Sequence, residues 1–196
     1  MLPTNPNTLS QKKMQSRLFG VLIGVGVFLI VIAILAVIQV TPYETYKNKA
    51  ARIQIKYPAY WKLVDHPDNA PGAIAAFVSP PQTALDTYSE NANISVQDLS
   101  AKPMNLSQFS QLAIRQMTGT FHDEIQVLES DTTQLAGRPA YRFVYLTKMP
   151  DSNLKFMNIW VIAGTRAYIF TYSAAEKDFD VFRSEVDTML KSFKIF

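Results

Sequence analysis

The run from Leu18 to Val40, LFGVLIGVGVFLIVIAILAVIQV, constrains this chain more than any other feature. It holds 23 consecutive residues without a charge, and Gln39 is its only polar side chain. As a helix rising about 1.5 Å per residue it reaches roughly 35 Å, enough to cross a hydrocarbon core of about 30 Å with some tilt. A cleaved signal peptide has a shorter apolar region, typically about 7 to 15 residues, ending in small side chains. Here Val37 to Thr41 reads VIQVT. The sequence therefore predicts a retained single-pass transmembrane helix over 17–40, with Leu18 and Val40 at its limits and Phe28 inside it. Gly20 and Gly24 form a GxxxG pair that lets two such helices approach closely, so a weak homodimer is a further expectation.

Charge supports the same reading. The chain carries 19 Lys and Arg against 16 Asp and Glu, a net +3, but residues 1–40 hold Lys12, Lys13 and Arg17 and no acid. The remainder is thus balanced, with 16 residues of each sign. Nucleic-acid binding needs cations converging on one face, and a balanced body gives no reason to expect it. Basic residues abutting an apolar span set membrane topology instead. Lys47, Lys49, Arg52 and Lys56 also follow the span, against the single acid Glu44. Lys12, Lys13 and Arg17 lie closer to it, which predicts a cytoplasmic N-terminus and an extracytoplasmic body at the cell membrane. The absence of cysteine excludes disulfide scaffolds, thiolate metal sites, cysteine nucleophiles and a lipidated N-terminal cysteine.

The rest divides into a polar, disordered tail over 1–16, a linker over 41–50 and a folded domain over 51–196. Strands are expected at 52–57, 61–64, 73–79, 93–99, 125–130, 139–148, 154–163 and 167–173, where β-branched and aromatic residues lie between turn formers. The connections 149–153 and 164–166 are short, so the last three strands form consecutive antiparallel hairpins. Yet these strands are apolar on both faces. Tyr141, Phe143 and Tyr145 oppose Val144 and Leu146, and Phe156, Trp160 and Ile162 oppose Met157, Ile159 and Val161. Such a sheet needs cover on both sides. One helix is predicted over 106–118, with Asn105 as N-cap, Gln108 completing a capping box and Gly119 as a stop. A second is predicted from a capping box at Ser173 to Glu176 through Phe193, with acids at its start and Lys191 and Lys194 at its end. The expected fold is α+β: an α/β/α sandwich around one central antiparallel sheet, preceded by the transmembrane helix.

Catalytic constellations are scarce. His122, Asp123 and Glu124 form the densest group of metal-ligand types, but adjacent residues point in different directions and no spaced partner accompanies them. His66 lies in a turn-like Asp-His-Pro-Asp-Asn segment. No serine sits in a G-x-S-x-G elbow, and the isolated glycines of the body build no phosphate loop. Tyr57, Tyr60 and Trp61 around Pro58 read as packing. Asn93-Ile94-Ser95 and Asn105-Leu106-Ser107 match the glycosylation pattern, which matters only in a eukaryotic secretory context. The expectation is a protein without catalytic residues; a membrane-bound metal-dependent hydrolase is the competing reading from another class.

Several local phrases, in order, resemble the PsbP-like family. They are Tyr57-Pro58 followed by Trp61, Phe77-Val78-Ser79-Pro80, Ile94-Ser95-Val96, Leu135-Ala136-Gly137-Arg138-Pro139-Ala140-Tyr141, Ala167 to Ala174 (AYIFTYSA) and Met189-Leu190-Lys191-Ser192-Phe193. The resemblance implies an antiparallel sheet between helices and a non-enzymatic protein. In oxygenic phototrophs such proteins are extrinsic, lumen-side subunits that support photosystem II and its calcium and chloride requirement; related sequences also occur in bacteria and archaea that evolve no oxygen. For this chain it implies a membrane protein complex as partner, photosystem II and the thylakoid membrane if the source is a phototroph, and calcium as the only cofactor to consider. The anchor departs from the photosynthetic pattern, and no family ligand motif transfers an ion-binding residue to a position here.

Overall fold

Two-sided apolar strands require two covering layers, and the protein supplies them unequally. The computed structural model describes residues 41–68, 72–83, 88–121, 125–148 and 153–196. The tail, the expected span over 17–40 with Leu18, Gly20, Gly24, Phe28 and Val40, and the topology residues Lys12, Lys13 and Arg17 lie outside the described residues. Among the described residues no helix is long and apolar enough to cross a membrane.

In chain order the strands are β1 (Tyr43–Asn48), β2 (Ile53–Pro58), β3 (Lys62–Asp65), β4 (Ala73–Val78) and β5 (Asn91–Asp98). Helix α1 (Leu106–Phe121) follows, then β6 (Ile125–Leu135), β7 (Arg138–Thr147), β8 (Leu154–Ala163) and β9 (Arg166–Ala175). A 3-10 turn (Glu176–Asp178), helix α2 (Arg183–Ser192) and the short β10 (Lys194–Ile195) complete the order. Seven strands form a sheet in the order β3-β4-β5-β9-β8-β7-β6, and β1, β2 and β10 form a second sheet around β2. Every pairing is antiparallel. The single expected sheet is therefore two sheets.

The alternation sorts the core as predicted. Phe143, Tyr145, Phe156, Trp160 and Ile162 pack with Phe109, Ala113 and Met117 of α1 on one face of the large sheet. On the other face Val144, Met157, Ile159 and Val161 pack with Ile53 and Ile55 of the small sheet and with Val186 and Met189 of α2. Helix α2 lies beside β2, where the Lys56 N–H donates to Ser192 Oγ (2.8 Å). One cover is a helix; the other is a small sheet with a helix beside it.

Three local expectations need correction. The stretch 41–50 is not a linker: β1 pairs with β2 over six residues, from Tyr43 opposite Pro58 to Asn48 opposite Ile53. Its polar composition reflects an edge strand that buries only Tyr46, whose hydroxyl donates to Asp65 (2.9 Å). The second helix does not start at Ser173, because β9 continues through Ala175 and buries Ser173. Strand pairing with β8 and β5 outcompetes the local capping pattern, and α2 begins at Arg183 without a side-chain cap. Glu176 and Asp178 thus belong to the preceding turn. Gly119 does not stop α1, which runs to Phe121.

The capping box of α1 is present as read. The Asn105 N–H donates to Gln108 Oε1 (3.0 Å), and the Gln108 N–H donates to Asn105 Oδ1 (2.9 Å). Strand β6 extends past Ser130 because Arg142 on β7 holds Glu129 (3.1 Å) and Asp131 (2.9 Å), fastening a polar edge strand.

Candidate functional site

Turns joining β1 to β2, β6 to β7 and β8 to β9 meet at one end of the domain, together with α2's last turn and β10. All three hold left-handed residues, Gly164 (φ 61°) serving the β8–β9 turn. Ala136 (φ 52°) and Gly137 (φ 69°) form the two-residue link between Leu135 and Arg138, the geometry that matches strand twist in a tight hairpin. Arg52 (φ 58°) turns the chain into β2, and its backbone oxygen accepts the Phe196 N–H (3.0 Å). The Arg52 side chain donates in return to Phe196 O, and Lys47 Nζ sits 4.9 Å from the centre of the Phe196 ring.

Around this clasp run three adjoining clefts. The first, about 180 Å³, is lined by Arg52, Arg138, Gly164, Tyr168 and Phe196. The second, about 510 Å³, is lined by Lys47, Gln54, Ala136, Phe193, Lys194 and Phe196. The third, about 420 Å³, takes in Ala136, Gly137, Leu190, Lys191, Phe193 and Lys194. Five cations line them and no Asp or Glu does. None of the five is in a salt bridge among the described residues. Nearby, Arg166 donates to Ala50 O (3.0 Å) and lies opposite Asp98 in the β5–β9 register.

Carboxylates gather at the opposite end of β2. Tyr57 donates to Glu44 (2.6 Å) and Tyr60 to Glu185 (3.2 Å). Burial, with Glu90, Asp180 and Glu185 nearby, raises the pKa of Tyr172, whose hydroxyl donates to Phe179 O (3.0 Å). The body's zero net charge thus hides this local cluster of cations. Composition alone could not reveal it, because Arg138 and Lys194 lie far apart in sequence and meet only through the fold.

The sequence-derived candidates fall elsewhere. His122, Asp123 and Glu124 lie outside the described residues. His66 (φ 49°) is exposed, with Nδ1 3.3 Å from Asp65, in agreement with the turn reading. Trp61 and Tyr57 are core residues, packed on Phe182 (5.5 Å) and Phe77 (4.9 Å), while Tyr60 is exposed. Among the described residues no group of three or more His, Asp or Glu could hold a metal ion. The nearest approach to a pair, Glu129 and Asp131, is already engaged by Arg142. The described part therefore offers no ligand set for the calcium that the resemblance raised.

A seven-stranded antiparallel sheet covered on one face by a helix and on the other by a three-stranded sheet and a helix defines an α+β domain. The chain matches PsbP over residues 41–195 and belongs to that family. The match starts at β1, which places the domain's beginning at 41 rather than 51. Among solved structures, cyanobacterial PsbP (CyanoP) from Synechocystis sp. PCC 6803 is similar at TM-score 0.59 and 17% identity, covering 82% of this chain and 96% of that one. LpqN of Mycobacterium tuberculosis, described as involved in cell envelope biogenesis, matches at TM-score 0.54 and 12% identity, over 80% of this chain and 87% of its own. The Saccharomyces cerevisiae Ran-binding protein Mog1p matches at TM-score 0.53 and 10% identity, over 79% and 96%. At these identities the likeness is one of fold. Comparison with curated proteins finds no match.

Proposed function

We propose that this protein is a non-catalytic docking module, anchored to the membrane by residues 17–40, that uses its basic end to hold an acidic face of a membrane protein complex on the extracytoplasmic side. One observation carries the reading: Lys47, Arg52, Arg138, Lys191 and Lys194 line contiguous clefts without an Asp or Glu among the lining residues, and only Arg52 among them bonds to Phe196 O. Cations clustered without an acidic side chain among them repel one another, and an anionic partner surface relieves that repulsion while steering association.

The chain enters the domain away from the clefts. It reaches the body at Pro42, whose oxygen accepts the Ala59 N–H (2.8 Å) at the Pro58 end of β2. The clefts lie at the other end of β1, about 17–20 Å away for a strand of six residues. Tethering raises the local concentration of the module, so a weak electrostatic contact suffices. Mog1p, named for the protein that it binds, supports association as one use of this fold. In an oxygenic phototroph, family membership narrows the complex to photosystem II.

Crosslinking of the full chain in native membranes tests the proposal. The expected result is a crosslinked membrane protein that is lost when Arg138→Glu and Lys194→Glu are combined, and weakened by raised salt. A partner retained by that variant refutes the basic end as the docking surface. Protease treatment of intact cells tests the orientation: the body should be degraded, and full protection from an impermeant protease overturns it.

A further inference from the structure

The α1-facing side of the large sheet changes chemistry where the helix leaves it. Under α1 it is aromatic, with Phe143, Tyr145 and Trp160. Beyond α1, over β3, β4, β5 and β9, it becomes a groove of about 460 Å³ that includes Asn91, Asn93, Thr171 and Ser173, with Phe156, Val64 and Val78 as apolar walls. That volume lies within the range of small-molecule sites, about 300–1,000 Å³. Among the described residues no Lys, Arg, Asp, Glu or His lines it.

The polar groups are held in fixed roles. Thr171 Oγ1 donates to Asn158 Oδ1 (2.8 Å), so its lone pairs face outward as acceptors. Ser173 Oγ accepts from the Tyr88 hydroxyl (2.9 Å), which leaves its own proton to donate. Asn91 Nδ2 reaches only Ser89 O at 3.5 Å, leaving Oδ1 as an acceptor, and the Asn93 amide offers both a donor and an acceptor. Phe156 is anchored by stacking on Tyr145 (centroids 5.1 Å, planes 12° apart). Donors and acceptors are thus interleaved beside apolar walls.

Such a lining selects by exclusion. A charged ligand would lose its hydration without meeting a counter-charge, and a wholly apolar one would bury the amides and hydroxyls without partners. A ligand that pairs a donor and an acceptor at each polar position, and carries apolar C–H faces between them, satisfies both constraints. We infer that this groove binds a neutral saccharide of one or two rings. The site is separate from the basic clefts, and its binding does not depend on theirs.

The test uses the full chain in phosphatidylcholine nanodiscs, with empty nanodiscs as control, and four neutral disaccharides as probes: maltose, cellobiose, lactose and N,N′-diacetylchitobiose. Saturation-transfer difference NMR reads the contact. The expected result is transfer to the C–H protons of at least one disaccharide, unchanged by salt and reduced roughly tenfold by loss of hydrogen bonds in Asn93→Ala or Thr171→Val. Phe156→Ala should also abolish it, but the Tyr145 stack makes that variant sensitive to folding, so the two polar substitutions decide. Absence of transfer to all four probes overturns the inference, as does transfer that persists in both polar variants or falls with salt.

Discussion

Helix α1 is tied to the large sheet by a buried hydrogen bond that makes a sharp test of the packing argument. Trp160 is 1% exposed, and its Nε1–H donates to Ser110 Oγ (2.8 Å), which donates in turn to Leu106 O (2.7 Å). Ser110→Ala removes the acceptor and leaves the indole N–H buried among Phe109, Tyr141 and Phe143. Leu106 O keeps its helical partner, so only the indole is orphaned. An unsatisfied buried donor costs about 1–3 kcal/mol, and alanine's better helix propensity returns roughly 0.5. The expected net loss is about 0.5–2.5 kcal/mol, or roughly 1–10 °C in Tm for a domain of this size. Urea and thermal unfolding would measure it, alone and combined with Trp160→Phe. Because phenylalanine removes the orphaned donor, the double variant should be more stable than additivity by about 1 kcal/mol. Additivity of the two substitutions would refute the claim that this bond couples α1 to the sheet.

Four further outcomes follow from other parts of the molecule. A chain starting at residue 51 should fail to fold, whereas one starting at 41 should fold, because β1 pairs along the whole of β2; circular dichroism distinguishes them. Burial pushes the Tyr145 hydroxyl up to about 12, with a smaller opposing contribution from Asn158; burial and the bond to Glu44 raise Tyr57 to the same value. Unfolded tyrosines lose their protons near pH 10, so stability is intact below that pH and falls as pH rises toward 12; alkaline titration of Tyr145→Phe should show a shallower decline. Ala136→Asn, which tolerates φ 52° better, should raise stability by about 0.5–1 kcal/mol in urea unfolding. Asn105→Ala should lower it by about 1 kcal/mol, because the Gln108 N–H loses its side-chain acceptor while the Asn105 N–H keeps Gln108 Oε1.

Periodicity made most of the large sheet legible. The alternation separates Phe143 from Val144 in β7 and Trp160 from Met157 in β8, and the β7–β8 pairing brings Phe143 and Trp160 to one face. Asn105 with Gln108 located the start of α1, since a cap is a local device whose partners lie three residues apart. What escaped depends on distant partners. Tyr43–Asn48 has the composition of a connector and becomes a strand only because β2 offers it an edge. Ser173 has the spacing of a cap and is overruled by β5 and β8 on either side. The basic end escaped for the same reason, since its cations come from the β1 hairpin, the start of β7 and the tail of α2. Summing them with the acids of the far end erased the signal.

The small sheet also sets an order of assembly. Strand β10 pairs with Gln54 and Ile53 of β2 across about 140 residues of intervening chain, so its contact order is among the highest the domain contains. During vectorial synthesis the β1–β2 hairpin emerges early and waits, one edge unpaired, until Lys194 and Ile195 arrive. An exposed edge of this kind invites pairing with other chains. A nascent copy therefore passes through its most aggregation-prone state before its last strand is made, and the late clasp of Phe196 by Arg52 marks the moment at which that hazard ends.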